Sequence, residues 1–148
     1  MTTAIAVRPA VEGDAPELAR LLTALGFPTE PRVVSGRWAS WVGSGNSAVV
    51  ADCGDGRLAG VATLHRMSVL HRPAPVGRIT ALVVDAAWRG RGVGRALVEV
   101  AEDQLALAGC GLLEVTSNQR LAGAHAFYAR LGYERTSVRF AKSLAPWG

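Results

Sequence analysis

The chain has 148 residues, 49% of them hydrophobic and 19% charged, and a formal net charge of +4. Its length suits one domain with a substantial core, and its apolar fraction excludes a disordered chain. A basic chain favours an anionic partner, such as a phosphorylated small molecule or a nucleic acid. The sequence has no run of basic residues of the kind that marks nucleic-acid-binding tails. We therefore expect a compact anion and no nucleic acid.

Targeting and metal-binding signals are also missing from the sequence. The first residues, MTTAIAVRPA, lack a basic region followed by an apolar core, so no signal peptide is expected. No apolar stretch has the length that a bilayer-spanning helix needs, so no membrane partner is expected. Cys53 and Cys110 do not form a CxxC pair, which argues against a metal site. We expect a cytoplasmic protein with reduced thiols.

The first half of the chain alternates between helical and extended patterns. Asp14-Ala-Pro-Glu17 has the cap, proline and capping-box residues of a helix start, and Gly26 can end that helix. Gly54-Asp55-Gly56 is typical of a hairpin turn between two strands. The predicted elements are a strand at residues 4–8, helices at 14–25 and 31–42, and strands at 47–52 and 57–65.

The second half predicts a strand–helix–strand unit and a closing segment. Its elements are a strand at 78–84, a helix at 92–108, a strand at 112–117, a short helix at 122–131, and one or two strands within 133–143. Hairpins require antiparallel pairs, whereas the crossover through the long helix favours a parallel pair. The sequence contains no repeat or linker, so it predicts one mixed α/β domain over residues 1–148.

The sharpest local signal is a glycine-rich turn, Arg89-Gly90-Arg91-Gly92-Val93-Gly94-Arg95, between the strand at 78–84 and the long helix. Backbone N–H groups at a helix N-terminus attract anions, and glycines let a phosphate approach the backbone. Arginines add charge-assisted hydrogen bonds. The Rossmann and Walker glycine patterns both fail here. The turn predicts a pyrophosphate site, although a turn that merely packs tightly is the alternative.

Three motifs in order resemble the GNAT acetyltransferase superfamily. Arg89-x-x-Gly92-x-Gly94 matches the family's [QR]xxGx[GA] signature, and Leu82-Val-Val-Asp85 resembles its fourth strand. Asn118 and the segment Phe127-Tyr128-Ala-Arg-Leu-Gly-Tyr133 resemble its downstream motif. Two positions depart from the pattern, with Tyr133 in place of the usual Phe and Ala86 in place of a frequent Pro. Neither change removes a chemical group that the family's mechanism needs.

The resemblance implies a fold and a cofactor. The fold is a central twisted mixed sheet of six to seven strands with about four helices, and two splayed parallel strands hold acetyl-coenzyme A (acetyl-CoA). The pantetheine arm would run along the strand at 78–84, and the pyrophosphate would bind the glycine-rich turn. The implied cofactor-binding residues are Leu82, Val83, Val84, Arg89, Gly90, Arg91, Gly92, Val93, Gly94, Arg95, Asn118 and Tyr128.

The resemblance further implies an N-acetyltransferase in which an amine attacks the thioester directly within a ternary complex. Tyr128 would protonate the leaving thiolate, and a backbone N–H near Val84 would stabilise the oxyanion. For the general base, Glu114 ranks first because its strand position could direct it towards the cleft. The other candidates are Asp85, His65, His71 and His125.

The acceptor and the class of protein stay open at this point. The acceptor is expected to be a small-molecule or peptide amine, and the family's frequent dimers imply a homodimer. A non-catalytic acyl-CoA sensor is the alternative function, and it could dispense with Tyr128. A nucleic-acid-binding domain is suggested by charge alone, and the scattered arginines argue against it.

Overall fold

A computed structural model describes residues 5–116 and 122–146 of the chain. The chain divides into two compact units, Met1–Thr116 and Ser117–Gly148. The first unit holds a sheet and three α-helices, and the described part of the second holds one α-helix. The expectation of a single domain stays a prediction.

The elements follow the predicted order as far as the last helix. The predicted bounds differ from the observed ones by no more than two residues. Short 3₁₀ turns lie at Glu12–Asp14 and Ala86–Trp88. The elements are β1 (Ala6–Pro9), α1 (Ala15–Leu25), α2 (Pro31–Gly43), β2 (Asn46–Asp52), β3 (Leu58–Met67), β4 (Val76–Val84), α3 (Val93–Leu107), β5 (Leu112–Val115) and α4 (Ala122–Arg130).

The five strands form one mixed sheet in the order β1-β2-β3-β4-β5. The pairs from β1 to β4 are antiparallel, whereas β4 and β5 are parallel. This confirms the mixed sheet and the parallel pair expected from the crossover through α3. A parallel pair needs such a crossover because the chain must return to the same end of the sheet.

β4 changes its pairing midway along its length. Thr63 and Leu64 of β3 pair with Ala81 and Ile79, so Thr80 is an extra residue that forms a bulge. The pairing with β5 covers only Val76 to Ile79 and stops at this bulge. Among the described residues, no strand pairs with β4 on the β5 side from Thr80 to Val84.

The core lies on both faces of the sheet. Leu18 and Leu21 of α1 pack on one face against Val50, Val61 and Val83 of three adjacent strands. Burying each such side chain contributes about 2 kcal/mol. On the other face, α3 packs so closely that a Cβ at position 77 would lie 2.8 Å from Leu105 Cδ1, so a larger residue there would displace the Leu105 side chain. The two faces are therefore covered by different helices.

The predicted number of strands was wrong. The described residues form five strands, not six to seven, and residues 133–143 form none. Val138 and Phe140 lie within the predicted closing strands, yet both side chains are exposed, 60% and 92% respectively. Strand propensity mainly reflects packing against neighbouring strands, and the described part of the second unit contains no strand that could pair with this segment.

The predicted capping box of α1 was also wrong. Asp14 makes no side-chain cap of α1, because its carboxylate accepts hydrogen bonds from the Val11 amide and the Arg8 guanidinium. Glu17 accepts one from the amide of Leu58, a residue far along the chain. Asp14 is thus occupied by near neighbours that precede α1, whereas Glu17 has a partner that only the tertiary structure supplies.

None of the helices in the described part of the chain has the length and apolarity of a membrane span.

Candidate functional site

The segment between β4 and α3 has the backbone that its glycines predict. Gly90 and Gly92 have φ angles of 75° and 80°, in the left-handed region that other residues rarely adopt. Gly92 is the N-cap of α3, and a Cβ there would meet no other atom within 4 Å. The backbone conformation, and not crowding, therefore requires glycine at position 92. We call residues 89–95 the glycine turn.

The first turn of α3 offers backbone amides to an anion. The first N–H groups of a helix have no partner within it, and Gly92 has no side chain with which to cap them. Val93 is 5% exposed, so its side chain belongs to the core and only its amide is available. Since the helix dipole also favours negative charge here, this turn can hold a phosphate group.

The three arginines of the glycine turn differ in their surroundings. All three are exposed. The Arg91 guanidinium lies 5.1 Å from the centre of the Trp88 ring, and Arg95 forms an ion pair with Glu99 at 3.0 Å. Arg89 has extended backbone angles at the end of the 3₁₀ turn. All three can reach solvent, so they add positive charge beside the open amides.

The second half of β4 leads directly into the glycine turn. Val83 is 6% exposed and packs in the core, so only its backbone is available to a ligand. Leu82 and Val84 are half-buried. Because no β5 residue pairs with this part of β4, its backbone can accept another extended chain as a strand would.

A polar cluster ties α1 to the carboxyl end of β4. We call Glu17, Arg20 and Asp85 the Arg20 cluster. Arg20 donates four hydrogen bonds, two to Glu17, one to Asp85 and one to the carbonyl of Leu58. The Asp85 carboxylate also caps the 3₁₀ turn by accepting from the Ala87 amide at 2.9 Å. The cluster thereby fixes the start of the segment that carries the glycine turn.

The same contacts make Asp85 a weak candidate for the general base. The bond from the Ala87 amide, and then the Arg20 guanidinium, lower the pKa of Asp85. The bond from Arg20 likewise lowers the pKa of Glu17. A carboxylate with a lowered pKa accepts a proton less readily, so a structural role suits both residues better.

A second polar group crosses four strands at one level of the sheet. Asn46 on β2 pairs with His65 on β3. His65 pairs with Arg78 on β4, and Arg78 pairs with Glu114 on β5. Paired residues point to the same face, and Ala48, two residues after Asn46, packs in the α1–α2 core. We call these four residues the Arg78 row.

The Arg78 row is only partly satisfied by internal hydrogen bonds. His65 Nδ1 lies 2.9 Å from Asn46 Oδ1, and the Asn46 amide also donates to the Trp41 carbonyl. Arg78 Nη2 donates to Glu114 at 2.8 Å, but the buried Nε of Arg78 has no partner among the described residues. A buried donor without a partner costs about 1–3 kcal/mol. The row therefore has capacity for further contacts.

The sequence singled out His65 and Glu114 but missed Asn46 and Arg78. Arg78 was assigned only to the start of a predicted strand. The predicted hairpin did place two strands side by side, so a register could have suggested cross-strand neighbours. The structure brings Glu114 beside Arg78 and not beside the exposed His71.

Tyr128 lies on α4 in the second unit, half-buried between two aromatic rings. Its ring makes edge contacts with Phe127 at 5.2 Å and Tyr133 at 5.7 Å between centroids. Burial raises the pKa of the Tyr128 phenol. The hydroxyl therefore keeps its proton at neutral pH, as a proton donor must. His125 is on the same helix, and Asn118 lies outside the described residues.

A further cavity lies between α1 and α2, with a volume of about 230 Å³. Trp38 and Trp41 line it, with ring centroids 5.3 Å apart, and both pack against the core. Their packing against the core gives both rings a structural role. No group of three His, Cys, Asp or Glu side chains in the described part of the chain could hold a metal ion.

Comparisons with known proteins agree on one family. The model of the acetyltransferase (GNAT) family matches residues 15–133. The aminoalkylphosphonate N-acetyltransferase of Salmonella typhimurium is 37% identical over 90 residues, covering 61% of this chain and 58% of that protein. Glucosamine 6-phosphate N-acetyltransferase 1 of Oryza sativa is 34% identical over 92 residues, covering 62% and 54%. The matches thus span less than two thirds of both relatives.

The fold has close counterparts among solved structures. The crystal structure of a Trypanosoma brucei acetyltransferase superposes with a TM-score of 0.84 and 24% identity, covering 95% of this chain and all of the other. At that identity the likeness speaks for the fold alone.

Proposed function

This chain belongs to the acetyltransferase (GNAT) family, and on that premise we propose that it transfers an acetyl group from acetyl-CoA to a primary amine. One observation carries the proposal. On the side of β5, no described residue pairs with β4 from Thr80 to Val84, and this edge leads directly into a helix N-terminus with open amides. An extended pantetheine arm and a pyrophosphate have the shape and charge that these two adjacent features accept.

The residues of the first unit fit the cofactor that the family uses. Leu82, Val83 and Val84 would bind the arm through their backbone, and the glycine turn would bind the pyrophosphate through its amides. Arg89 and Arg91 supply positive charge beside these amides. When bound, acetyl-CoA supplies the thioester that makes the acetyl group transferable. Asn118 remains a proposed contact of the arm, on the strength of its motif alone.

The reaction needs two proton transfers besides the attack. The acceptor ammonium loses a proton, its nitrogen forms a bond to the acetyl carbon, and the carbon–sulfur bond breaks. We assign the first proton to Glu114, whose register partner Arg78 lies two residues before the open edge of β4, and the protonation of the thiolate to Tyr128. An amine ordinarily has a pKa near 10 and a thiol one near 8.5, so both transfers benefit from a positioned group.

A small molecule is the preferred acceptor. The names of both curated relatives denote enzymes that act on small amines, an aminoalkylphosphonate and glucosamine 6-phosphate. A peptide amine is the alternative. The cytoplasmic location and the homodimer implied by the family stay predictions.

Release of free thiol in the presence of an amine panel tests the function. The panel should contain small neutral amines, small anionic amines and a lysine-containing peptide. We expect thiol release that depends on both acetyl-CoA and one class of amine. Calorimetry with CoA, run in parallel, identifies a sensor. Tight CoA binding without thiol release from any amine would favour the sensor over the enzyme.

Tyr128→Phe tests the assignment of the proton donor. The change removes the hydroxyl but keeps the ring contacts with Phe127 and Tyr133. We expect kcat to fall about 100-fold while CoA affinity stays the same, because the hydroxyl acts only in the transition state. Tyr133→Phe, which restores the family's usual residue, is the matched control and should retain activity. A wild-type kcat in Tyr128→Phe would remove Tyr128 from the chemistry.

A further inference from the structure

We infer that Arg78 selects the acceptor by binding an oxyanion on it, so that the substrates are short amines with a phosphonate, phosphate or carboxylate group. This inference rests on the proposed function and names the substrate class of that same site. Its evidence is the hydrogen bonding, exposure and charge of the Arg78 row (Asn46, His65, Arg78 and Glu114).

Arg78 uses far less of its donor capacity than the structural arginines do. A guanidinium has five N–H donors. Arg20 and Arg8 each donate four hydrogen bonds within the protein. Arg78 donates one, to Glu114, and within the described residues neither its Nε nor its Nη1 has a partner. Its charge is therefore available to a ligand.

The position of Arg78 allows a ligand to reach it. The Arg78 side chain is 39% exposed and that of Glu114 is 40% exposed, although Nε itself is buried. An oxyanion would therefore approach the exposed Nη groups, where arginine binds planar or tetrahedral oxyanions well. The neighbouring Arg66 cannot serve, because its guanidinium donates to the Ala108 carbonyl at the end of α3, on the opposite face of the sheet.

The charges of the row match a molecule that carries both signs. Arg78 offers the positive charge and Glu114 the negative charge on adjacent strands, joined by one hydrogen bond. An acceptor with an ammonium and an oxyanion can place each group beside its opposite. His65 adds no negative charge to this face, and its ring is held by Asn46. An ammonium without an oxyanion would contact Glu114 alone.

The distance to the open edge of β4 limits the length of the acceptor. Thr80, where that edge begins, is two residues beyond Arg78, which corresponds to about 7 Å of strand. An oxyanion on Arg78 would thus place an amine two or three bonds away near the start of the edge. Long or bulky spacers would carry the amine past it. We therefore expect short aminoalkyl oxyanions.

The test compares acceptors that share an aminoethyl group and differ in whether the other end carries an oxyanion. The probes are 2-aminoethylphosphonate, β-alanine and 2-aminoethanol, which has no oxyanion, and each is assayed by thiol release with wild type, Arg78→Gln and Arg78→Lys. We expect the wild type to favour an anionic probe over 2-aminoethanol by about tenfold or more in kcat/KM. Arg78→Gln should abolish this preference because the KM of the oxyanion-bearing probes rises. The loss of the hydrogen bond to Glu114 acts on all three probes alike, so it leaves their ratio unchanged. Arg78→Lys should keep part of it.

The controls distinguish a loss of acceptor selectivity from a loss of protein stability. Arg66→Gln removes an arginine from the opposite face and should leave the preference intact. Urea unfolding of Arg78→Gln shows whether the variant folds, and calorimetry with 2-aminoethylphosphonate measures binding without turnover. The inference is overturned if the wild type treats the three probes alike, or if Arg78→Gln lowers kcat/KM for all of them equally. If no amine in any panel releases thiol, the proposed function is wrong. In that case, weaker binding of 2-aminoethylphosphonate to Arg78→Gln than to wild type supports the inference, and equal binding overturns it.

Discussion

Two arginines near opposite ends of β4, Arg20 of α1 and Arg78 of β4 itself, differ in how many hydrogen bonds they donate. At the carboxyl end, Arg20 donates four hydrogen bonds and holds Asp85 next to the glycine turn. In the first half of the strand, Arg78 donates one hydrogen bond and keeps a buried Nε without a partner among the described residues. Both side chains are about one third exposed, 32% for Arg20 and 39% for Arg78. Exposure alone therefore does not explain the difference.

The difference indicates two roles for similar polar residues. A saturated guanidinium fixes the backbone around it, because moving any partner breaks several bonds at once. An unsaturated one contributes little to the fold but retains donors for a ligand. The carboxyl end of β4 is accordingly suited to present a rigid turn to a cofactor, and the first half is suited to adapt to an acceptor.

The largest expected effect comes from removing each arginine in turn. Arg20→Met leaves Glu17 and Asp85, only 18% and 13% exposed, without their main partner. We expect a loss of about 2 kcal/mol in the free energy of unfolding. Arg78→Met should change it by less than about 1 kcal/mol, because an exposed ion pair contributes little and the unpaired Nε is removed as well. Urea unfolding at pH 7 measures both.

Equal losses of unfolding free energy in Arg20→Met and Arg78→Met would contradict the proposed difference between the two arginines. The control is Arg32→Met, since Arg32 forms an exposed ion pair with Glu30 on α2's first turn and should have almost no effect. A loss in Arg32→Met as large as that in Arg20→Met would mean that the assay does not report these contacts.

The next largest effect is expected from a substitution in the glycine turn, which follows the carboxyl end of β4. Gly92→Ala places a side chain on a residue with a φ of 80° and beside the amides of α3. We expect a loss of about 1 kcal/mol in stability and about tenfold in CoA affinity, measured by calorimetry. Gly109→Ala is the matched control, because Gly109 has a φ of 88°, equally open space and a place just beyond the opposite, C-terminal end of α3. CoA affinity that falls alike in both variants would argue against the cofactor site.

Acid should weaken the contacts of the Arg20 cluster, at the carboxyl end of β4, more than those of Arg78. The pKa values of Glu17 and Asp85 are lowered in the folded protein, by Arg20 first for Glu17 and by the Ala87 amide and then Arg20 for Asp85. Groups with a lowered pKa contribute stability that is present above their ordinary values near 4 and is lost as the pH falls further. We therefore expect the stability gap between wild type and Arg20→Met to shrink as the pH falls from 6 to 3.

Urea midpoints at several pH values measure this gap. Asp14, whose pKa is lowered by Arg8, is untouched in Arg20→Met, so that variant should still lose some stability in acid. A gap that stays constant down to pH 3 would show that the Arg20 contacts do not depend on charge.

The sequence predicted most of the fold because the signals were local. Leucines at helical spacing, the Gly54–Gly56 turn and Gly26 each depend on near neighbours, and the corresponding elements are present. The segment at 133–143 failed because its strand pattern needs a partner strand that local residues cannot supply. Glu17 failed as a capping residue for the same reason, since its partner Leu58 lies 41 residues away.

The candidate site likewise contains features that depend on near neighbours in the sequence and features that depend on distant ones. The glycine turn was visible because its residues are consecutive. The Arg78 row was not, because its register depends on the bulge at Thr80. Thr63 pairs with Ala81, so without the bulge His65 would face Ile79, and Arg78 would point to the other face of the sheet. A single inserted residue thus determines whether Arg78 lies on the face that carries His65 and Glu114.

The smallest expected effect lies at that bulge, on the boundary between the two ends of β4. The hydroxyls of Thr63 and Thr80 are 2.7 Å apart and exposed. A double-mutant cycle with Thr63→Val and Thr80→Val should give a coupling energy of about 0.5 kcal/mol, since one exposed hydrogen bond between neutral groups is lost. Chemical unfolding of the four proteins measures it. A coupling above about 1.5 kcal/mol would contradict this expectation and would group the bulge with the Arg20 cluster at the carboxyl end of β4.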